Sequence, residues 1–313
     1  MSDQLIEAPK RRGPLYAIIA VVVIAVIAAL VLVLTRGDDE DDSAAGGTTS
    51  GPTVKIGVVG ASDPYWETYE KAAADEGIKV DIVDFTEYTQ PNPALDAGEL
   101  DLNQFQHLVY LADYNLANDK DLTPIGSTAV YPLGLYSKQY DSVDDIPDGA
   151  TVAVPDDASN QARGLRILQG AGLITLTDGG TIFSDLNDVD EDASKVKVTD
   201  LSADITATSL DDVAAAIINN DFVEKAGLKF EDAIAKDGPA EPGAAPYVNV
   251  FATRAEDKDN KTYLKLVKIF QDTKSVTDGL EDVSGDTAVL VKQTPAELQT
   301  LLDSVEKDTA ASK

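Results

Sequence analysis

The chain holds one histidine, His107, at the end of the run Asn103-Gln104-Phe105-Gln106-His107. An imidazole can serve as acid, base, metal ligand or hydrogen-bonding wall of a pocket. Its sequence neighbours are amides and an aromatic ring, not a nucleophile or further metal ligands. Two readings stand side by side. In one, His107 is a structural histidine satisfied by nearby carbonyl and carboxylate groups. In the other, Tyr88, Phe105, His107, Tyr131 and Trp66 wall an apolar slot, whose aromatic edges also suit a thioether sulfur.

Arginine is as selective a signal. Beyond the first fifty residues only Arg163, Arg166 and Arg254 occur, and two of them fall in the stretch from Pro155 to Gln169. Ser159 is placed to cap a helix starting at Asn160, which puts Arg163 in its first turn with Asn160 three residues back on the same face. Free N–H groups at a helix start and a guanidinium fork together suit a small carboxylate. The plainer reading is a surface ion pair in an acidic protein. Arg166 reads as a solvated or interlobe charge.

Other chemistries are poorly supplied. The chain has no cysteine and one histidine, so disulfides, thiol nucleophiles, zinc clusters and thioether lipidation are excluded, and no metal site or cofactor is expected. Asp188, Asp190 and Asp192 come nearest to a calcium loop but lack its glycine and closing glutamate. The motifs of serine hydrolases, P-loop enzymes and dinucleotide-binding folds are missing. A net charge of −30 argues against nucleic acid as a partner.

These residues need a scaffold. Val54 to Gly60 reads as a strand, Tyr65 to Glu76 as a helix closed by Gly77, and Ile78 to Phe85 as a second strand, a β-α-β opening that favours a parallel sheet. The pattern recurs with a strand at Thr151–Pro155 and a helix from Asn160 to Gln169, stopped by Gly170 and Gly172. Gln90 to Leu100 reads as a loop and one helical turn, followed by a buried strand that delivers Phe105 and His107 to its carboxyl end. Tyr247 to Arg254 reads as a strand that carries the chain back to the first lobe, and Lys261–Thr273 and Pro295–Glu306 as helices on its outside. The expected fold is α/β, two-lobed and periplasmic-binding-protein-like (type II), with ligand in the interlobe cleft near the strands' carboxyl ends.

Ahead of this lies an uncharged run of 20 residues, Leu15 to Leu34, long enough as a helix to cross a bilayer of roughly 30 Å. Lys10, Arg11 and Arg12 precede it and an acidic run follows, so residues 1–14 are expected to be cytoplasmic, 15–35 a transmembrane anchor and 36–52 an acidic, glycine- and serine-containing linker. A cleaved signal peptide is the competing reading. The remainder divides into lobe 1, from 53–131 and 247–313, and lobe 2, from 132–246. The expected location is the cell membrane, single-pass, with the C-terminal domain extracellular.

Several blocks occur together in order: Tyr88 to Leu111, Tyr131 to Ser137, Val152 to Ile174, Ser209 to Asn220 and Pro246 to Arg254. Over roughly Val54 to Gln271 the chain resembles the methionine-binding NlpA family of ABC-transporter substrate-binding proteins. The Asn-x-Phe-Gln-His and Ser-Asn-x-x-Arg blocks carry most of the likeness. The resemblance implies a non-enzymatic protein that holds L-methionine or D-methionine between two lobes and presents it to an ABC permease with its ATPase subunit. It also implies that Tyr88, Phe105, His107 and Tyr131 form the side-chain pocket, with Trp66 near the first strand. Asn160 and Arg163 would form the carboxylate clamp, and Asn219 and Asn249 the amide contacts. A methionine-containing dipeptide such as glycyl-methionine is an alternative ligand, and a membrane-anchored amino-acid sensor an alternative role. The chain departs from the family in lacking the lipidated cysteine, in carrying Thr206-Ala207-Thr208 where relatives have Leu-Pro-Arg, and in its tail beyond Ser275.

Overall fold

The computed structural model describes residues 53–239 and 242–312. The expected membrane segment at 15–35 and the linker lie outside them; among the described residues no helix is long and apolar enough to cross a membrane.

The chain builds two sheets. The first opens with β1 (Val54–Val59), α1 (Pro64–Asp75), β2 (Val80–Phe85), α2 (Pro91–Asp96), β3 (Leu102–His107), α3 (Leu108–Asn118) and β4 (Thr123–Val130). The second holds β5 (Gly134–Tyr136), β6 (Thr151–Pro155), α4 (Ala158–Gly170), β7 (Lys197–Leu201), α5 (Ala203–Thr206), β8 (Ala215–Ile218), α6 (Asn220–Val223) and β9 (Ala235–Lys236). The chain then returns to the first sheet with β10 (Val248–Thr253), α7 (Lys261–Asp272), α8 (Lys274–Val283), β11 (Val289–Leu290) and α9 (Pro295–Ser312). Tyr131–Leu133 thus carries the chain from one sheet to the other, and the segment between β9 and β10 brings it back.

β1 pairs in parallel with β2 and β3, as the β-α-β opening predicts, and β6 pairs in parallel with β7 and β8. All six residues of β3 are buried, the pattern of a strand covered on both faces. Gly77 and Gly172, both with φ above 70°, supply the left-handed turns that end α1 and α4 without a Cβ penalty. Pro64 opens α1, where its missing N–H costs nothing.

Helices cover both faces of the first sheet. On one, Trp66, Tyr69, Phe251, Phe270 and Leu280 form a core of α1, α7, α8 and the strands. On the other, Leu298, Leu302 and Val305 of α9 meet Leu108, Leu111 and Ala112 of α3. Their spacing of four and three residues is one helical face. At roughly 1.5–3 kcal/mol for each fully buried aliphatic side chain, that stripe suffices to dock α9. β10 returns antiparallel between β3 and β4, with register shifts next to Val250 and Phe251.

Candidate functional site

The site lies beyond the carboxyl ends of β3, β6 and β8. His107 ends β3 and caps α3: its Nδ1 accepts from the Tyr110 N–H at 3.1 Å. An accepting Nδ1 is unprotonated, so the proton sits on Nε2, which lies 3.2 Å from Asn160 Oδ1 and donates to it. Burial and then the nearby Arg163 charge push the imidazole pKa down to about 3, against the opposing Asn160 hydrogen bond. His107 is therefore neutral across the physiological range, with both nitrogens engaged. Both readings of it hold in part: it is hydrogen-bonded like a structural histidine, and it faces a cavity.

Asn160 continues the chain. Its Nδ2 donates to both Asp157 oxygens at 3.1 Å, and its Oδ1 also accepts from Asn219 Nδ2 at 3.1 Å. These contacts fix the Asn219 amide, because a flip would set two carbonyl oxygens against each other. The consequence is that the buried Asn219 Oδ1 has no hydrogen-bond partner. Buried acceptors without donors are rare, and each costs about 1–3 kcal/mol. Asn249, opposite His107 in the β10–β3 pairing, stands on the same side.

The amides around His107 have a different task. Asn92, Asn103 and Gln106 bond one another at 2.6–3.0 Å, and Gln104 donates to Thr128 at 3.2 Å. This closed network holds β3 in place. Tyr88 and Phe105 form the aromatic side, with ring centroids 5.9 Å apart, joined by Tyr110 and Tyr131. Trp66 is not brought there. Its indole packs 4.8 Å from Tyr65 and 5.8 Å from Phe270, because the buried face of α1 turns into the sheet core.

Arg163 is held differently from the sequence expectation. The cap of α4 is Asp157, whose carboxylate accepts from the Asn160 N–H at 2.9 Å. The helix starts at Ala158, so Arg163 falls in its second turn and Ser159 lies inside the first. The guanidinium fork is occupied by the protein itself: Nε meets Asp237 Oδ2 at 2.6 Å, and Nη2 meets Asp237 Oδ1 at 3.0 Å. Nη2 also donates to the Tyr131 carbonyl at 2.7 Å. The Tyr247 ring lies under the guanidinium, 4.4 Å from its carbon. Arg166, one turn on, is exposed.

One hollow joins these groups. It is lined by Tyr88, Phe105, His107, Tyr131, Asn160, Arg163, Asn219 and Asn249, together with Gln106, Tyr110, Pro132, Leu133 and Asn220. Its volume is about 380 Å³, part of it open to solvent. Eight of the nine sequence candidates border it, and Trp66 does not. Sequence reasoning missed Tyr110, three residues after His107, and Asn220, beside Asn219, although helical spacing and adjacency pointed to both. Asp237, 74 residues from its arginine, gave no such signal.

The lining offers guanidinium and amide donors, an orphaned buried acceptor and aromatic surface. That set can bind a small zwitterion with an apolar tail. Among the described residues no cluster of three or more His, Cys, Asp or Glu could hold a metal ion.

A family model described as NlpA lipoprotein matches residues 54–291. The D-methionine-binding lipoprotein MetQ of Escherichia coli strain K12 is 40% identical over 223 residues, 70% of this chain and 81% of that protein. The substrate-binding protein of a methionine transporter from Streptococcus pneumoniae superposes with a TM-score of 0.71 at 33% identity, covering 76% of this chain and 95% of that one. A nutrient-binding protein from Burkholderia cenocepacia, solved bound to methionine, gives 0.70 at 36% identity, covering 76% and 99%. The two-sheet α/β architecture is that of these substrate-binding proteins. α9 lies beyond the matched residues. Matched over residues 54–291 by that model, and by relatives of this identity and coverage, this chain belongs to the NlpA lipoprotein family.

Proposed function

We propose that the chain is the extracytoplasmic substrate-binding protein of an ABC importer, taking L-methionine or D-methionine into the hollow and delivering it to a membrane permease with its ATPase subunit. In this reading residues 53–131 and 247–313 form one lobe and 132–246 the other. The helix at 15–35 tethers the protein to the membrane, and the folded part lies outside the cell. Closure of the lobes over the ligand raises the closed population by the ligand's differential affinity for that state.

The single observation that carries the reading is the orphaned Asn219 Oδ1 on a residue that lines one hollow with Arg163. An acceptor without a donor suits an ammonium group, a guanidinium suits a carboxylate, and an α-amino acid carries both. Tyr88, Phe105, Tyr110 and Tyr131 then take the side chain, for which a thioether is well matched. The relatives' names point to the same ligand. No step of bond-making is required: the lining carries no Ser, Cys or Lys, and its histidine has both nitrogens engaged.

Calorimetry of the full-length chain against L-methionine, D-methionine and glycyl-methionine tests the proposal. Binding of methionine in the micromolar to nanomolar range is expected, within the ceiling for a ligand of so few atoms. Absence of binding to all three would remove the transport reading.

A further inference from the structure

Asp237 is joined to the crossover between the sheets as firmly as to Arg163. Its Oδ1 accepts from the Leu133 N–H at 2.8 Å, and its own N–H donates to the Leu133 carbonyl at 3.2 Å. With the two contacts to Arg163 and the Arg163 Nη2 bond to the Tyr131 carbonyl, three of the guanidinium's five N–H groups are used. Both hydrogens of Nη1 stay unengaged among the described residues. A carboxylate that reaches this guanidinium has only Nη1 left to meet, end-on and not as a fork.

We propose that Asp237 is the positioning residue of the ligand-carboxylate site: it turns the Arg163 fork away from the hollow, leaves Nη1 for the ligand, and fixes that orientation to Tyr131–Leu133. The assignment rests on the amino-acid-binding reading above. It also has a consequence for charge. The Arg163 side chain is only 7% exposed, and a cation so buried needs a partner before any ligand arrives. Asp237 provides it, so the ligand carboxylate shares a compensated cation instead of neutralising a bare one.

The experiment compares L-methionine with L-methioninamide, which lacks the carboxylate, on the full-length wild type and on Asp237→Asn, Asp237→Glu and the double variant Asp237→Ala/Arg163→Ala. The expected result is a loss of about tenfold or more in L-methionine affinity for Asp237→Asn, a change of less than about threefold for the amide, and partial recovery in Asp237→Glu. Because both charges are gone, the double variant should fold and bind L-methionine no more weakly than Arg163→Ala alone. Equal losses for the two ligands, or additive losses in the double variant, overturn the assignment and leave Asp237 a structural residue. A wild type that ignores L-methionine overturns the underlying reading itself.

Discussion

Tyr88 donates its hydroxyl to Asp221 Oδ2 at 2.6 Å, linking the part of the chain that builds the first sheet to the helix after β8. Asp221 also accepts from Asn220 at 2.8 Å. Part of its surface stays open, yet protein surrounds it, and its pKa is raised from 3.8 to about 7. Desolvation is the main cause; the Asp63 charge adds to it, while Tyr88 and Lys225 oppose it. Asp63, raised to about 6 chiefly by burial, lines a neighbouring cleft with Asp221, Glu224 and Lys225.

A carboxyl whose pKa is higher folded than unfolded binds more protons in the folded state between the two values. For Asp221 that window runs from about 4 to about 7: stability is gained as pH falls through it, and the full penalty stands above it. Asp221→Asn, which can still accept from Tyr88, should raise the melting temperature at pH 8, by about 2–4 °C per kcal/mol recovered, and the gain should vanish near pH 4. A constant difference across that range would assign the effect to something other than titration. His107 works oppositely, since the unfolded chain takes up its proton below about 6.5 and the folded chain only near 3. The wild-type curve therefore sums opposing terms, and the Asp221→Asn difference isolates one.

Arg163→Ala should weaken methionine binding by several kcal/mol, but it is not a clean probe. It also strips Asp237 of its partner, so melting temperature should fall alongside affinity. Arg163→Ala with unchanged methionine affinity would show that the carboxylate sits elsewhere.

Asn219→Ala removes the orphaned acceptor together with one hydrogen bond to Asn160. Its cost to folding should be small, while methionine affinity should drop by about tenfold, as for loss of one bond to a charged group. Binding of 4-(methylthio)butanoate, which lacks the ammonium, should be unaffected. A similar loss for both ligands would show that Asn219 contacts something other than the ammonium.

Phe105→Ala should weaken methionine far more than alanine, because only the longer side chain reaches the ring. Competition calorimetry with the two amino acids measures the ratio, and equal losses would place the side-chain pocket elsewhere.

Leu302→Ala in α9 should cost about 2–5 kcal/mol of stability through a cavity against α3 and leave methionine affinity unchanged. Chemical denaturation reads the first and calorimetry the second. A change in affinity would couple this helix to the hollow.

Much of the scaffold could be read from residue patterns. The β1-α1-β2 opening, the strand carrying Phe105 and His107, and the return of β10 to the first sheet follow from local periodicity and glycine stops, which act over a few residues. The start of α4 was misjudged because Asp157 and Ser159 are both good caps, and only the folded geometry selects between them. Trp66 was misplaced for a related reason: a helix next to a strand end can turn a given face either into a cleft or into a core, and α1 packs that face against Phe270. Asp237 was invisible in a turn-rich stretch whose acid has no local signature. Its role exists only once the crossover lies beside α4.

The Arg163 guanidinium touches the carbonyl of Tyr131, where the chain leaves the first sheet, and the carboxylate of Asp237, where it sets out on the way back. On the proposed lobe closure, a ligand drawn to this one side chain would act where the two crossovers meet and not at the rim. Under that proposal, small displacements there would swing distant surfaces through long arcs, and the outer faces met by a permease would report occupancy without touching the guest.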